Sequence, residues 1–151
     1  METAGQRDRR TIAILAGVGM LTSLQFTLIV PALPEVPVAL GVTTNDSAWV
    51  ITITLLAATV GTPIAARMAD MYGRRRLLMV CLGVLIVGSM IAAVGMTFQT
   101  VLIGRAGQGL ATAIVPIGIS LMRELLSRER ATMGTALMSA TLGIGSALGL
   151  P

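Results

Sequence analysis

The chain has 151 residues, of which 54% are hydrophobic and only 12% are charged, and its formal net charge is +4. A soluble domain carries roughly 25% charged residues, so this composition indicates that water is not the only solvent of the chain. All eleven basic residues are arginines, there is no histidine, and Cys81 is the single cysteine. One cysteine excludes an intramolecular disulfide and a cysteine-based metal cluster, and we interpret Cys81 as a small apolar residue.

Apolar windows long enough to cross a bilayer recur along the chain. A transmembrane helix needs about 20 consecutive apolar residues, and such windows occur at residues 11–33, 48–69, 77–96, 100–122 and 131–151. Length identifies them as helices, because their apolar residues are too continuous to show a period. A signal peptide is an alternative for the first window, but its apolar core is too long and further spans follow. The predicted fold is all-α, a polytopic membrane helix bundle with about five transmembrane helices behind a polar leader at residues 1–10.

The connections between these windows have different compositions. The first, "PALPEVPVALGVTTNDS", is rich in Pro, Gly and Thr and predicts a loop over residues 31–47. The third, "MTFQT", predicts a very short turn, and the fourth, "RELLSRER", predicts a charged loop over residues 123–130.

Arginine alternates with these connections. The leader, the second connection and the fourth are basic; they carry Arg7, Arg9 and Arg10, then Arg74, Arg75 and Arg76, then Arg123, Arg128 and Arg130. The first connection has only acids, Glu35 and Asp46, and the third has no charge. The positive-inside rule therefore predicts a cytoplasmic N-terminus in a multi-pass plasma (inner) membrane protein. Anionic lipid headgroups would attract these arginines, so the basic charge does not argue for nucleic acid.

The second connection carries a recognisable pattern. The segment "ARMADMYGRRRLL" resembles the loop between the second and third helices of the major facilitator superfamily. Asp70, Gly73, Arg74, Arg75 and Leu78 match that pattern, while Ala66 and Met71 replace its first Gly and first Arg. The resemblance implies a conformational latch, in which a carboxylate caps a helix N-terminus and pairs with arginine. An ordinary solvated turn is the alternative.

Three further segments resemble the same superfamily. "VLIGRAGQGLATA" resembles its fourth-helix pattern through Arg105, Gln108, Gly109 and Ala113. "TLGIGSALGLP" resembles the fifth-helix glycine ladder of its antiporters; its members are Gly143, Gly145, Gly149 and Pro151. "SLQFTLIVPALPEV" is similar to the first helix of the fourteen-span drug–proton antiporters, with Gln25 where that branch has Asp. The glycines also suit ordinary close helix packing.

The resemblance implies an incomplete N-terminal half of a major facilitator fold. Residues 11–151 would supply helices 1–5, with the chain stopping inside the fifth, and the missing C-terminal helices would be needed for function. The expected function is proton-coupled efflux of amphipathic organic compounds, with lipid, a small-molecule substrate and protons as partners and with no cofactor. The alternatives are an inactive or regulatory membrane fragment, or a facilitator of another small solute.

Other classes fit the residues less well. An intramembrane enzyme needs a nucleophile with a base, paired carboxylates or a metal. No histidine is present, and every carboxylate is terminal or lies in a connection, so we predict neither an enzyme nor a metal site. A compact four-span exporter of the small multidrug type depends on a carboxylate in its first helix, where this chain has Gln25.

Arg105 lies inside the predicted fourth span, about one turn from its outer end. An arginine at the bilayer centre costs roughly 2.5–3.5 kcal/mol on insertion scales, so such residues usually face a cavity and have partners. We therefore predict a coupling or substrate role for Arg105, Gln25 and Gln108, with Arg105 and Gln25 on neighbouring spans. The alternative is an arginine that extends to the interface and only snorkels.

Overall fold

A computed structural model describes residues 4–148. Their helices are α1 (Ala4–Thr27), α2 (Ile29–Ala32), α3 (Val36–Leu40), α4 (Thr44–Ser47), α5 (Trp49–Tyr72), α6 (Arg74–Val94), α7 (Phe98–Leu110), α8 (Ile114–Leu125) and α9 (Arg128–Leu148), with short 3-10 turns at Leu33–Glu35 and Ala111–Ala113. No strand occurs in this part of the chain. Within it, five helical stretches are long and apolar enough to span a membrane: Asp8–Leu40, Thr44–Tyr72, Arg74–Val94, Phe98–Leu125 and Arg128–Leu148. The all-α prediction with about five spans is confirmed.

The first connection is helical rather than a loop, so that prediction was wrong. Proline occupies the first turn both of the 3-10 segment Leu33–Glu35 and of α3, where its missing N–H costs nothing. Gly41 ends α3 with a φ of 64°. Thr43 then caps α4 in a capping box with Asp46. Residues typical of loops serve here as the start and stop signals of short helices.

The polar ends of the other helices are also more ordered than expected. Only residues 126 and 127 lie between α8 and α9, so most charges of the predicted fourth loop belong to helix ends. Residues 4–10 of the leader are continuous with α1. The short turn predicted at the third connection is present between α6 and α7.

Contacts divide the chain into two compact units. One unit covers residues 31–114 and contains α5, α6 and α7. Its helices approach closely at glycines. A Cβ added to Gly104 would lie only 2.6 Å from the backbone oxygen of Gly88. A Cβ on Gly61 would lie 3.2 Å from the Cα of Leu110. Small residues allow this backbone contact within a membrane.

The other unit covers residues 1–30 and 115–151. Here α1 and α9 are joined by side-chain hydroxyls that donate to backbone carbonyls of the facing helix. Ser23 Oγ donates to the carbonyl of Leu142 at 2.7 Å, and Thr141 Oγ1 donates to that of Ala16 at 3.1 Å. Arg130 and Asp8 form an ion pair at the arginine-rich end. These polar contacts fix the pairing of two otherwise apolar helices.

Aromatic residues mark the two ends of α5. Trp49 begins the helix and Tyr72 ends it, and their exposed fractions are 52% and 61%. At 1.5 Å per residue they are separated by about 35 Å along the helix axis. The hydrocarbon core is about 30 Å thick, and Trp and Tyr are enriched at its interfaces. The helix therefore has the dimensions of a membrane span with interfacial anchors.

Candidate functional site

The candidate site is centred on Arg105, in the second half of α7. Thr97 and Thr100 form a capping box that fixes the first turn of this helix. Arg105 lies seven residues beyond Phe98, or about 10 Å along the helix axis. Only 5% of the residue is exposed. The side chain therefore does not snorkel to the surface within the unit that contains it.

The hydrogen bonds around the guanidinium group extend over three helices. Arg105 Nη1 donates to Gln108 Oε1 at 2.7 Å, and Arg105 Nε lies 3.5 Å from the backbone carbonyl of Val50, on α5. Gln108 Nε2 donates to Ser89 Oγ, on α6, at 3.1 Å. Residues three apart share a helix face, which places Arg105 and Gln108 side by side. We call Arg105, Gln108, Ser89 and the Val50 carbonyl the buried arginine network.

All acceptors in the buried arginine network are neutral. No carboxylate within residues 4–148 pairs with Arg105. An ionised group that is buried without a charged partner loses hydration that neutral hydrogen bonds restore only partly. The network thus presents a desolvated positive charge, which is suited to receiving an anionic group.

Sequence reasoning found half of this network. Arg105 and Gln108 were identified from the resemblance to the fourth-helix pattern, whereas Ser89 and Val50 were missed. A lone serine in an apolar span is a weak signal, and Val50 contributes a backbone atom, for which a sequence carries no signal. Within the described residues, no group of three or more Cys, Asp or Glu side chains is arranged so that it could hold a metal ion.

Gln25 lies on α1 and is half-buried. It belongs to the unit of residues 1–30 and 115–151, whereas Arg105 belongs to the unit of residues 31–114. The expected proximity of these two side chains stays a prediction.

The connection between α5 and α6 is a sharp turn at Gly73, whose φ of 96° favours glycine. Arg74 Nη2 lies 3.4 Å from Asp70 Oδ1, which gives the ion pair that the sequence suggested. The expected capping contact is absent, because Gly73 is the N-cap of α6 and no side chain caps it. Asp70 instead lies in the last turn of α5, where 70% of its side chain is exposed.

Both helix ends at this turn carry unfavourable charge. A carboxylate is disfavoured near a helix C-terminus, and cations are disfavoured near an N-terminus. Asp70 lies near the C-terminus of α5, and the N-terminus of α6 carries Arg74, Arg75 and Arg76. The exposed Asp70–Arg74 pair contributes about 0–1 kcal/mol. Local stability therefore does not account for these charges, and the latch role stays a prediction.

The residues predicted to serve helix packing differ in how closely the facing helix approaches them. A Cβ on Gly109 would collide with the backbone of Thr54, and one on Gly145 would lie 2.7 Å from the carbonyl oxygen of Met20. Gly143 has no atom within 4 Å of such a position. Gly149 and Pro151 lie outside the described residues. Close packing thus explains Gly109 and Gly145 but not Gly143.

Five membrane-length helices, three of which surround a buried polar network, are typical of a polytopic membrane protein. The family model described as Major Facilitator Superfamily matches residues 15–151. The chain belongs to that superfamily.

Its relatives include a transporter with a name that refers to drug resistance. The chain is 28% identical to "Multidrug resistance protein 3" of Bacillus subtilis, with 97% of this chain and 29% of that protein aligned. It is 32% identical to an uncharacterized MFS-type transporter of Mycobacterium tuberculosis, over 91% of this chain and 20% of that protein. It is 28% identical to the uncharacterized MFS-type transporter EfpA of the same species, over 99% and 31%. The chain therefore spans about a fifth to a third of the length of these relatives.

Proposed function

We propose that this chain forms the N-terminal part of a proton-coupled exporter of amphipathic organic compounds. The buried arginine network carries the proposal, because a desolvated cation held by neutral partners provides a place for an acid or an anionic substrate group. Relatives in the superfamily include one named for multidrug resistance. Transport would require further helices, because the second half of the binding site lies on them in this superfamily's architecture.

Arg105 would act through an acidic group, and no acid of this chain lies in the predicted apolar windows. Gln25 cannot titrate, so the proton-carrying carboxylate would come from the remainder of the transporter. A nearby arginine favours the charged form of such a carboxylate, whereas burial favours the neutral form. A conformational change that alters either influence would bind or release a proton.

The decisive experiment replaces Arg105 in the complete transporter. We expect Arg105→Ala to abolish proton-driven efflux of ethidium, a lipophilic cation, from proteoliposomes. Arg105→Lys should restore little, because a lysine lacks the planar set of donors that contacts two partners at once. Arg67→Ala, which removes an exposed arginine of α5, is the matched control and should retain efflux.

Three outcomes distinguish the alternatives. Efflux at the wild-type rate in Arg105→Ala would show that the residue has no coupling or substrate role. Transport of ethidium that persists without a proton gradient would favour the facilitator. Absence of transport in every assembled form would favour a regulatory or inactive segment.

The proposed orientation has a cytoplasmic N-terminus and a cytoplasmic turn at Arg74. Thr44 would then face the outside, at the start of α4, where it is exposed. In a Cys81→Ser background, Thr44→Cys should react in intact cells with a maleimide that does not cross membranes. Reaction only after permeabilisation would invert the topology.

A further inference from the structure

A groove with arginine at one end lies between the end of α8 and the first half of α9. Its volume is about 770 Å³, and its walls include Arg123, Arg128, Thr132, Thr135, Ala136 and Ser139. All of these residues belong to the unit of residues 1–30 and 115–151. Neither Glu124 nor Glu129 is among its lining residues. We call this feature the basic groove.

The two arginines of the basic groove are available to a ligand. Both are exposed, and within residues 4–148 neither forms an ion pair. Arg130 differs, because it pairs with Asp8 of α1. Arg128 also stands at the first residue of α9, where a helix N-terminus disfavours a cation and favours an anion. A bound anion would therefore be stabilised by two guanidinium groups and by the helix end.

The rest of the groove suits an apolar chain. Thr132 and Thr135 donate their hydroxyl hydrogens to backbone carbonyls of α9 itself, at 2.9 and 2.8 Å. Their methyl groups and Ala136 are small, so they leave space along the helix. Arg128 and Ser139 are eleven residues apart, which gives the groove a length of about 16 Å along α9. Charge at one end and small neutral side chains beyond it match an amphiphile with an anionic head.

We propose that the basic groove binds an anionic phospholipid, with its phosphate between Arg123 and Arg128 and an acyl chain along α9. Arginine contacts phosphate with two parallel N–H donors, so the site is more specific than diffuse surface charge. Basic pockets between membrane helices are suited to such headgroups. Free inorganic phosphate shares the headgroup chemistry but does not use the apolar length of the groove. The proposal depends on membrane insertion and not on transport.

The test compares lipid retention by variants with equal net charge. The full chain is purified in nanodiscs of phosphatidylcholine and phosphatidylglycerol, transferred to detergent, and examined by native mass spectrometry for retained lipid. Arg123→Gln/Arg128→Gln should lower the preference for phosphatidylglycerol by roughly tenfold. The control, Arg67→Gln/Arg76→Gln, removes two exposed arginines elsewhere and should change it by less than about twofold. Circular dichroism confirms that both variants remain helical.

Two further arms separate a lipid from a free anion. Ala136→Leu fills the groove at an exposed position without altering charge and should also remove the lipid preference. Inorganic phosphate at millimolar concentration should compete only weakly. Equal loss in both double variants would reduce the effect to surface charge and overturn the proposal. Full displacement by inorganic phosphate, with Ala136→Leu unaffected, would show an anion site and overturn the lipid assignment.

Discussion

Arg105 and the arginines at the turn between α5 and α6 lie in opposite environments. Arg105 is 5% exposed and contacts the neutral acceptors Val50 C=O and Gln108, and Gln108 in turn contacts Ser89. The Arg74–Arg76 cluster is at a turn, and the exposed fraction of the Arg74 side chain is 33% even with Asp70 beside it. A buried charge requires its hydrogen bonds, because their loss leaves the group without solvation. An exposed pair contributes little, because water replaces it. Burial, rather than residue type, therefore decides how much an arginine's contacts contribute to stability.

The largest expected loss of stability follows from Gln108→Leu. This substitution removes the acceptor of Arg105 Nη1 and leaves a buried charged donor without its bond. We expect the free energy of unfolding to fall by about 2–3 kcal/mol, measured by denaturant titration in detergent micelles. Gln99→Leu is the matched control, because Gln99 is an exposed glutamine on the same helix. An equal loss of stability in both variants would show that the hydrogen bond from Arg105 to Gln108 is not the cause.

A smaller loss is expected for Ser89→Ala. The Gln108 amide would lose the Ser89 hydroxyl that accepts its hydrogen bond, and a neutral bond contributes about 1 kcal/mol. Ser89→Thr keeps a hydroxyl and should recover most of the stability in the same titration. Ser139→Ala, at an exposed serine of α9, should cost nothing measurable. If Ser89→Thr were as unstable as Ser89→Ala, the bond to Gln108 would not be the cause.

The smallest loss of stability is expected for Asp70→Asn. Removing an exposed ion pair should change the free energy of unfolding by less than about 1 kcal/mol. In the complete transporter, however, the same change should lower the transport rate more than the apparent affinity for substrate. Initial rates over a range of ethidium concentrations separate these two quantities. A loss of apparent affinity with a normal transport rate would reject the latch role and would indicate that Asp70 affects substrate binding.

The first connection shows where sequence reasoning failed. Pro34, Pro37 and Gly41 were interpreted as loop residues, yet they lie at the ends of short helices. The same residue types punctuate loops and helix termini, because both need a fixed φ, a missing N–H or a positive φ. The composition of this segment therefore predicted where the connection lies but did not predict that it is helical.

The sequence by itself determined the number and approximate limits of the spans, because crossing a bilayer imposes a minimum apolar length on every helix. The fourth-helix resemblance also singled out Arg105 and Gln108, and their spacing of three residues on one helix is enough to put them on the same face. Only the tertiary structure decided that Ser89 and the Val50 carbonyl complete their hydrogen bonds. Those two partners are distant along the chain; close packing at Gly88 and Gly104 brings α6 to α7, and close packing at Gly109 brings α5 to α7. Tertiary structure likewise separated arginines that look alike in the sequence, because burial depends on neighbouring helices and not on local pattern.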